Sequence, residues 1–295
     1  MSTPTLIASG QEGTIKDQIV GYFQRIKNGD MGALPAVIAL FALAVLFAGL
    51  SPYFLTKLNV ANLFVQAAEL TVLACALVFV LLLAEIDLSA GVTAGVGMGL
   101  FIILNQKMGL PWWVAVLGAL LLGSAVGSFI GFFVAKIGVP SFVVTLGLFL
   151  GFQGLQLIML GDGGLYRVDI PEILALMNSN MPDWAGWLMV VIMILATLGL
   201  SLWDRARRSK AGLTSRPISL MIAKVVVIGG LSAILVAILN ENRSVSVLPI
   251  SGVPIVIPVV IGIIFIGTFV LDRTRFGRHL YAVGGNPEAA RRAGI

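Results

Sequence analysis

Charged residues make up only 11% of this 295-residue chain, which carries a single cysteine and a single histidine. Cys75 stands alone inside an apolar run, so neither a disulfide framework nor a thiolate metal site has the ligands it needs. With His279 as the only imidazole, zinc chemistry and Ser/His/Asp hydrolysis have almost nothing to work with. The period-two alternation of barrel strands is also missing.

What remains is apolar: 58% of the residues are hydrophobic and the mean hydropathy is +1.02. Several runs reach or approach the roughly 20 residues that cross a bilayer as a helix. The implied fold class is all-α, a polytopic transmembrane helix bundle. A net charge of +5 raises the possibility of nucleic acid, but the basic residues fall in short loops between apolar runs, as membrane topology requires. Three regions are expected: a cytoplasmic N-terminal segment over 1–33, a bundle over 34–271 and a cytoplasmic loop over 272–295. Within the first, Ile15, Ile19, Phe23 and Ile26 recur at helical spacing. They read as a surface-lying amphipathic helix or, alternatively, as a partly disordered tail.

Eight spans are expected, at about 34–54, 63–84, 88–105, 112–135, 140–160, 185–203, 218–239 and 253–271. Trp112, Trp113, Trp184 and Trp187 fall at their ends, where amphipathic rings sit. With a cytoplasmic N-terminus, fourteen Lys and Arg residues lie on the cytoplasmic side and four (Lys57, Lys107, Arg167, Arg243) on the other, Lys224 being inside a span. An even span count and this bias agree, so both ends are expected in the cytoplasm.

The stretch Ala84-Glu85-Ile86-Asp87-Leu88-Ser89-Ala90-Gly91 breaks two apolar runs with carboxylates. An ionised group at bilayer depth costs on the order of 3 kcal/mol or more, so it is either shielded or used. Glu69, Glu85 and Asp87 read as substrate acceptors, a proton site or a hinge. The simpler reading has Asp87 or Ser89 accepting backbone N–H bonds at the start of the third span. Gly91, Gly95 and Gly99 recur every four residues, as do Gly123, Gly127 and Gly131, with Gly147 and Gly151 a shorter pair. Such stripes let helices pack closely, and beside Asp87 they also suit a broken helix at a transport site. Asn62 and Gln66, Ser141 and Thr145, and Gln153 and Gln156 each share a helix face. They read either as a hydrated path for a polyol or as interhelical hydrogen bonds.

The last stretch, Gly284 to Ile295, has Asn286 as N-cap, Pro287 at the first helical position, Glu288 at the positive helix end and Gly294 as a stop. A short helix with no apolar run either lies on the membrane or docks into a partner. Arg273, Arg275 and Arg278 alongside form a juxtamembrane patch suited to anionic lipid.

Here the chain resembles the permeases of ABC sugar importers of the ribose/xylose type. Glu288-Ala289-Ala290, followed after three residues by Gly294, resembles the loop through which such permeases meet their ATPase. Phe276-Gly277-Arg278 and Tyr281 to Asn286 resemble the sugar-permease approach to it. Ile86-Asp87-Leu88-Ser89-Ala90-Gly91 is similar to the family's signature after the second span, with Ala90 where valine is usual, and Pro140 to Gly147 resembles a third block. Ala84-Glu85, where ribose permeases tend to have glycines, and the inserted seventh span resemble the D-xylose subgroup.

The resemblance implies a non-catalytic transport subunit in the bacterial inner membrane. Its partners would be a second permease copy, cytoplasmic ATPase subunits, a periplasmic or extracellular sugar-binding protein and membrane lipid, with no nucleic acid. It would bind no cofactor itself, ATP and Mg being held by the ATPase. Asn286, Pro287, Glu288, Ala289, Ala290 and Gly294 would form the ATPase coupling element. Asn62, Gln66, Glu69, Glu85, Asp87, Ser89, Ser141, Thr145 and Gln153 are the candidates for a translocation path or hinge. Family members continue with further helices after this loop, so the sequence reads as a C-terminally incomplete permease. The competing expectations are an ion-coupled secondary transporter using the intramembrane carboxylates, and a membrane scaffold.

Overall fold

A computed structural model describes residues 31–161, 166–212, 217–244 and 247–295, together with Ile26 and Gly29. The surface helix expected between Ile15 and Ile26 lies outside the described residues except for Ile26. So do Lys16, Arg25, Lys27, Asp162 and Arg216 of the charge tally.

The described chain is all-α. Its elements are α1 (Leu34–Leu50), α2 (Lys57–Leu81), α3 (Ala90–Ile102), α4 (Trp112–Phe132), α5 (Ser141–Leu160), α6 (Pro171–Asn178), α7 (Asp183–Lys210), α8 (Ile218–Asn240), α9 (Val256–Arg273), α10 (Arg275–Gly285) and α11 (Pro287–Arg292). π-Helical turns over Ile103–Lys107 and Phe133–Ile137 extend α3 and α4. Among the described residues six helices are long and apolar enough to cross a membrane: α2, α4 with its π turn, α5, α7, α8 and α9. α1 is apolar but 17 residues long, and α3 has 13 before its π turn. Large apolar side chains on these helices are widely exposed, Leu40, Phe41 and Ile158 among them. Lipid, which solvates such surface without penalty, is the solvent that fits it.

Two boundaries differ from the hydropathy reading, each for a local reason. α2 begins at Lys57 rather than about residue 63. Its polar first turn is supported by Thr56, whose Oγ1 accepts the Asn59 N–H at 3.4 Å. α7 runs on to Lys210, past the apolar run ending near 203, because Asp204 and Arg208 pair one turn apart at 3.1 Å. α6 and α10 were not anticipated as helices. α6 carries the usual signals, Pro171 at its start and Glu172 in its first turn.

The chain divides into two compact units, one of residues 1–64 with 180–254 and one of 65–179 with 255–295. In the first, α7 and α8 pack side by side, with Gly186 against Val236 and Gly229 against Ile194. The connection after α8 is held by Arg243, 7% exposed, which donates to the carbonyls of Leu239 and Gly252 and to Asn180 Oδ1. Burial pulls this guanidinium below its ordinary pKa, yet arginine keeps its charge at any physiological pH. Gly252, at φ +91, lies against the Met181 carbonyl where no side chain fits. Lys57 and Glu241 form an ion pair in the same unit.

In the second unit, α3 packs against α4 and α5, and α9 leads through a tight corner into α10 and α11. Phe101, Ile102 and Ala115 are buried there beneath Tyr166, Val168, Ile170 and Ile173, which draws the segment before α6 over the ends of α3 and α4.

Candidate functional site

Three residues past the end of α2 the chain takes a left-handed turn. Ala84 has φ +60, the only non-glycine with positive φ among the described residues. The chain then runs without helix through Glu85–Asp87 and turns into α3. Asp87 Oδ1 accepts both the backbone N–H of Ser89 at 2.8 Å and its hydroxyl at 2.7 Å. Of the two capping candidates, Asp87 therefore shapes the turn; Ser89 is the N-terminal flanking residue of α3 but makes no side-chain cap, because its fully buried hydroxyl donates to Asp87 instead.

Two residues of α5 hold the break from the other side. Ser141 Oγ accepts the Ile86 N–H at 3.1 Å. Thr145 Oγ1 is within 3.3 Å of the Ile86 carbonyl and donates to the Ser141 carbonyl at 2.9 Å. Both are buried, Thr145 completely. The Ser141 hydroxyl thus satisfies a main-chain donor freed by the break, and the Thr145 hydroxyl, bonded mainly to its own helix, lies against the Ile86 carbonyl. One turn up α3, Gln156 Nε2 donates to the Val92 carbonyl at 2.8 Å, and Gly95 provides the space for that amide.

Beside the break lies a cavity of about 810 Å³, walled by α2, α3, α4 and α6. Its lining is largely apolar; among the described residues Asp87 is its one ionisable group and Thr93 its one uncharged polar side chain. Asp87 uses Oδ1 in the turn and leaves Oδ2 out of it. Gly97, Gly123 and Gly127 belong to the same wall. Two glycines of the first stripe are used within the chain, Gly95 against Gln156 and Gly99 against Met159, while a Cβ at Gly91 would meet nothing described within 4 Å. The second and third stripes are not: a Cβ at Gly123, Gly127, Gly131, Gly147 or Gly151 would meet nothing described within 4 Å.

So Glu85, Asp87, Ser89, Ser141 and Thr145 come together around Ile86. Gln66 and Glu69 are exposed on α2, and Gln153 is exposed on α5. Asn62 belongs to the other unit, where it lines a cavity of about 480 Å³ with Phe47, Tyr53 and Phe54. Gln156 proved more engaged than Gln153, which shares its face. Thr93 was missed altogether, since one threonine in a glycine-rich run carries no signal of its own.

The last two helices meet at Asn286. Its Oδ1 accepts the Ala289 N–H at 2.9 Å, capping α11, and Glu288 pairs with Arg292 at 2.7 Å across one turn. Gly294, at φ +81, is the left-handed stop. Ala290 is buried while Glu288, Ala289, Arg291 and Arg292 are exposed. α10 turns off α9 at Thr274, whose Oγ1 accepts the Gly277 N–H at 3.2 Å.

A bundle of lipid-facing helices with a broken, hydroxyl-braced element beside a cavity is the architecture of a membrane transport subunit. Residues 59–220 match the family described as branched-chain amino acid transport system / permease component. The chain is 32% identical over 280 residues to the xylose transport system permease protein XylH of Escherichia coli K12, covering 93% of this chain and 68% of that protein. It is 32% identical to XylH of Haemophilus influenzae, covering 89% and 68% respectively. The ribose import permease protein RbsC of Escherichia coli K12 is 27% identical, over 88% of this chain and 60% of that one. No solved structure matches. The chain belongs to this permease family, in its ribose/xylose branch. It is a multi-pass permease component of the bacterial inner membrane and not an enzyme.

Proposed function

We propose that this chain is the translocation subunit of an ABC importer for D-xylose or a related monosaccharide. The similarity to xylose permeases along nearly its whole length carries this reading. In it, a binding protein delivers sugar to the outer face of two paired permease copies, and cytoplasmic ATPase subunits engage α11. ATP and Mg belong to those subunits. The chain crosses the membrane eight times, α1 and α3 with its π turn joining the six longer helices, and both ends are cytoplasmic. The positive-inside count supports that orientation.

Asp87 Oδ2 and the neighbouring cavity wall form the chain's contribution to the sugar route. Apolar walls with few polar groups suit passage rather than retention, leaving selection to the binding protein. The relatives do not favour ion coupling through Glu69, Glu85 and Asp87, and Asp87 already serves the turn.

The test is uptake of radiolabelled D-xylose into proteoliposomes holding the permease, its ATPase and its binding protein, with unlabelled ribose and galactose as competitors. Uptake requiring all three components and resisting competition is expected. Uptake unaffected by omitting the binding protein would sink the proposal.

A further inference from the structure

α10 and the break after α2 touch where two backbones meet. A Cβ placed on Gly284 would collide with the Leu82 carbonyl oxygen, with the Leu82 carbonyl carbon at 2.8 Å and Leu83 Cα at 3.1 Å. Those obstacles are main chain, so no rotamer change relieves them. α10 also meets α2 itself at Phe79 and Phe276, whose rings lie 6.5 Å apart. Gly277, Leu280 and Gly284 fall on one face of α10, with Gly277 and Leu280 buried. Gly277 lies against the Leu271 backbone of α9 and Gly284 against the Leu82 backbone, with Leu280 buried on the same face, so close glycine contacts and an apolar side chain seat the helix together.

From Leu82 the chain passes two residues to the left-handed Ala84 and two more to Ile86, which Ser141 and Thr145 grip from α5. Asp87 follows, on the cavity wall. Hence only four residues, Leu83 to Ile86, separate Leu82, whose carbonyl lies under Gly284, from Asp87 at the cavity. They form neither a stiff helix nor a slack loop, because hydrogen bonds fix both ends. A displacement of α10 has one short route inward.

We infer that Gly284 is a positioning residue for transport, the contact through which the α10–α11 pair moves the break and with it Asp87. This rests on the reading of α11 as the ATPase coupling element. Packed contacts with two discrete arrangements turn small shifts at one site into discrete changes at another. Ala84 acts as the counterpart: its strained turn opposes any adjustment of the break.

The experiment uses the assembled transporter in proteoliposomes, with Cys75→Ser and a reporter Ala90→Cys in the cavity wall. Three readouts are taken: co-purification with the ATPase, sugar uptake, and reporter labelling by a thiol reagent with and without vanadate-trapped nucleotide. Gly284→Ala is expected to keep the ATPase bound, lower uptake about tenfold and abolish the nucleotide-dependent change in labelling. Adding Ala84→Gly, which lets the break shift away from the new methyl, is expected to restore both. It should restore neither in Glu288→Lys, where the lesion lies upstream at α11.

Unchanged uptake in Gly284→Ala would overturn the inference. So would a defect that Ala84→Gly leaves unrepaired, including loss of assembly, which would mark Gly284 as packing only. Normal coupling in Glu288→Lys would instead remove the underlying assignment of α11, and the relay with it.

Discussion

Ala84 holds a side chain at a backbone angle that suits glycine. The left-handed region costs a non-glycine residue about 1–2 kcal/mol. Glycine recovers that at an entropic cost of about 0.5–1 kcal/mol, so Ala84→Gly is expected to stabilise the detergent-solubilised protein slightly. A small rise in Tm checks this; a fall would mean the turn is unstrained. Ser141→Ala removes the acceptor for the Ile86 N–H and leaves a part-buried donor unpaired, costing about 1–3 kcal/mol. Faster amide exchange confined to Glu85–Ser89 is expected, and uniform exchange would contradict the brace. Arg243→Met strips donors from three neutral acceptors in the other unit. It should lower Tm by several degrees without altering α10 or α11. At this scale Asp87 was legible because a carboxylate between apolar runs demands a reason. The grip of Ser141 and Thr145 on Ile86 was not: the partners lie 55 and 59 residues apart, and a hydroxyl pair on an apolar helix has many possible mates.

At the scale of elements, the α11 signals were all local, and the helix forms where Asn286, Pro287 and Gly294 put it. Asn286→Ala should cost about 1 kcal/mol of capping and fray this helix, measurable as faster exchange at Ala289 and Ala290. Glu288→Lys reverses charge at the positive helix end and breaks the pair with Arg292. It is expected to leave membrane insertion intact while ATP hydrolysis no longer responds to sugar-loaded binding protein; an intact response would remove the coupling role. α10 escaped notice because it is only 11 residues long, follows α9 with one residue between them, and contains Gly277, Gly284 and Gly285, which are poor helix formers. The glycine stripes of α4 and α5 looked like packing seams, yet nothing in the described chain occupies them. Repetition of small residues shows that a close approach is possible without showing to what.

For the molecule as a whole, composition established a lipid-facing helical bundle, and the long apolar helices agree with it. Which helices cross was less legible, since α1 and α3 are short and hydropathy windows cannot see a π turn that extends one of them. The proposed orientation puts Asp169 outside and Arg208 inside. In a Cys75→Ser background an impermeant thiol reagent should label Asp169→Cys in intact cells and Arg208→Cys only after permeabilisation; the reverse pattern would invert the topology. The most direct measurement is D-xylose uptake by the permease assembled with its ATPase and binding protein in right-side-out vesicles, comparing internal ATP with an imposed proton gradient alone. Uptake that needs ATP and ignores the gradient is expected. Uptake driven by the gradient without ATP would contradict the importer account and return Glu69, Glu85 and Asp87 to the centre of the mechanism.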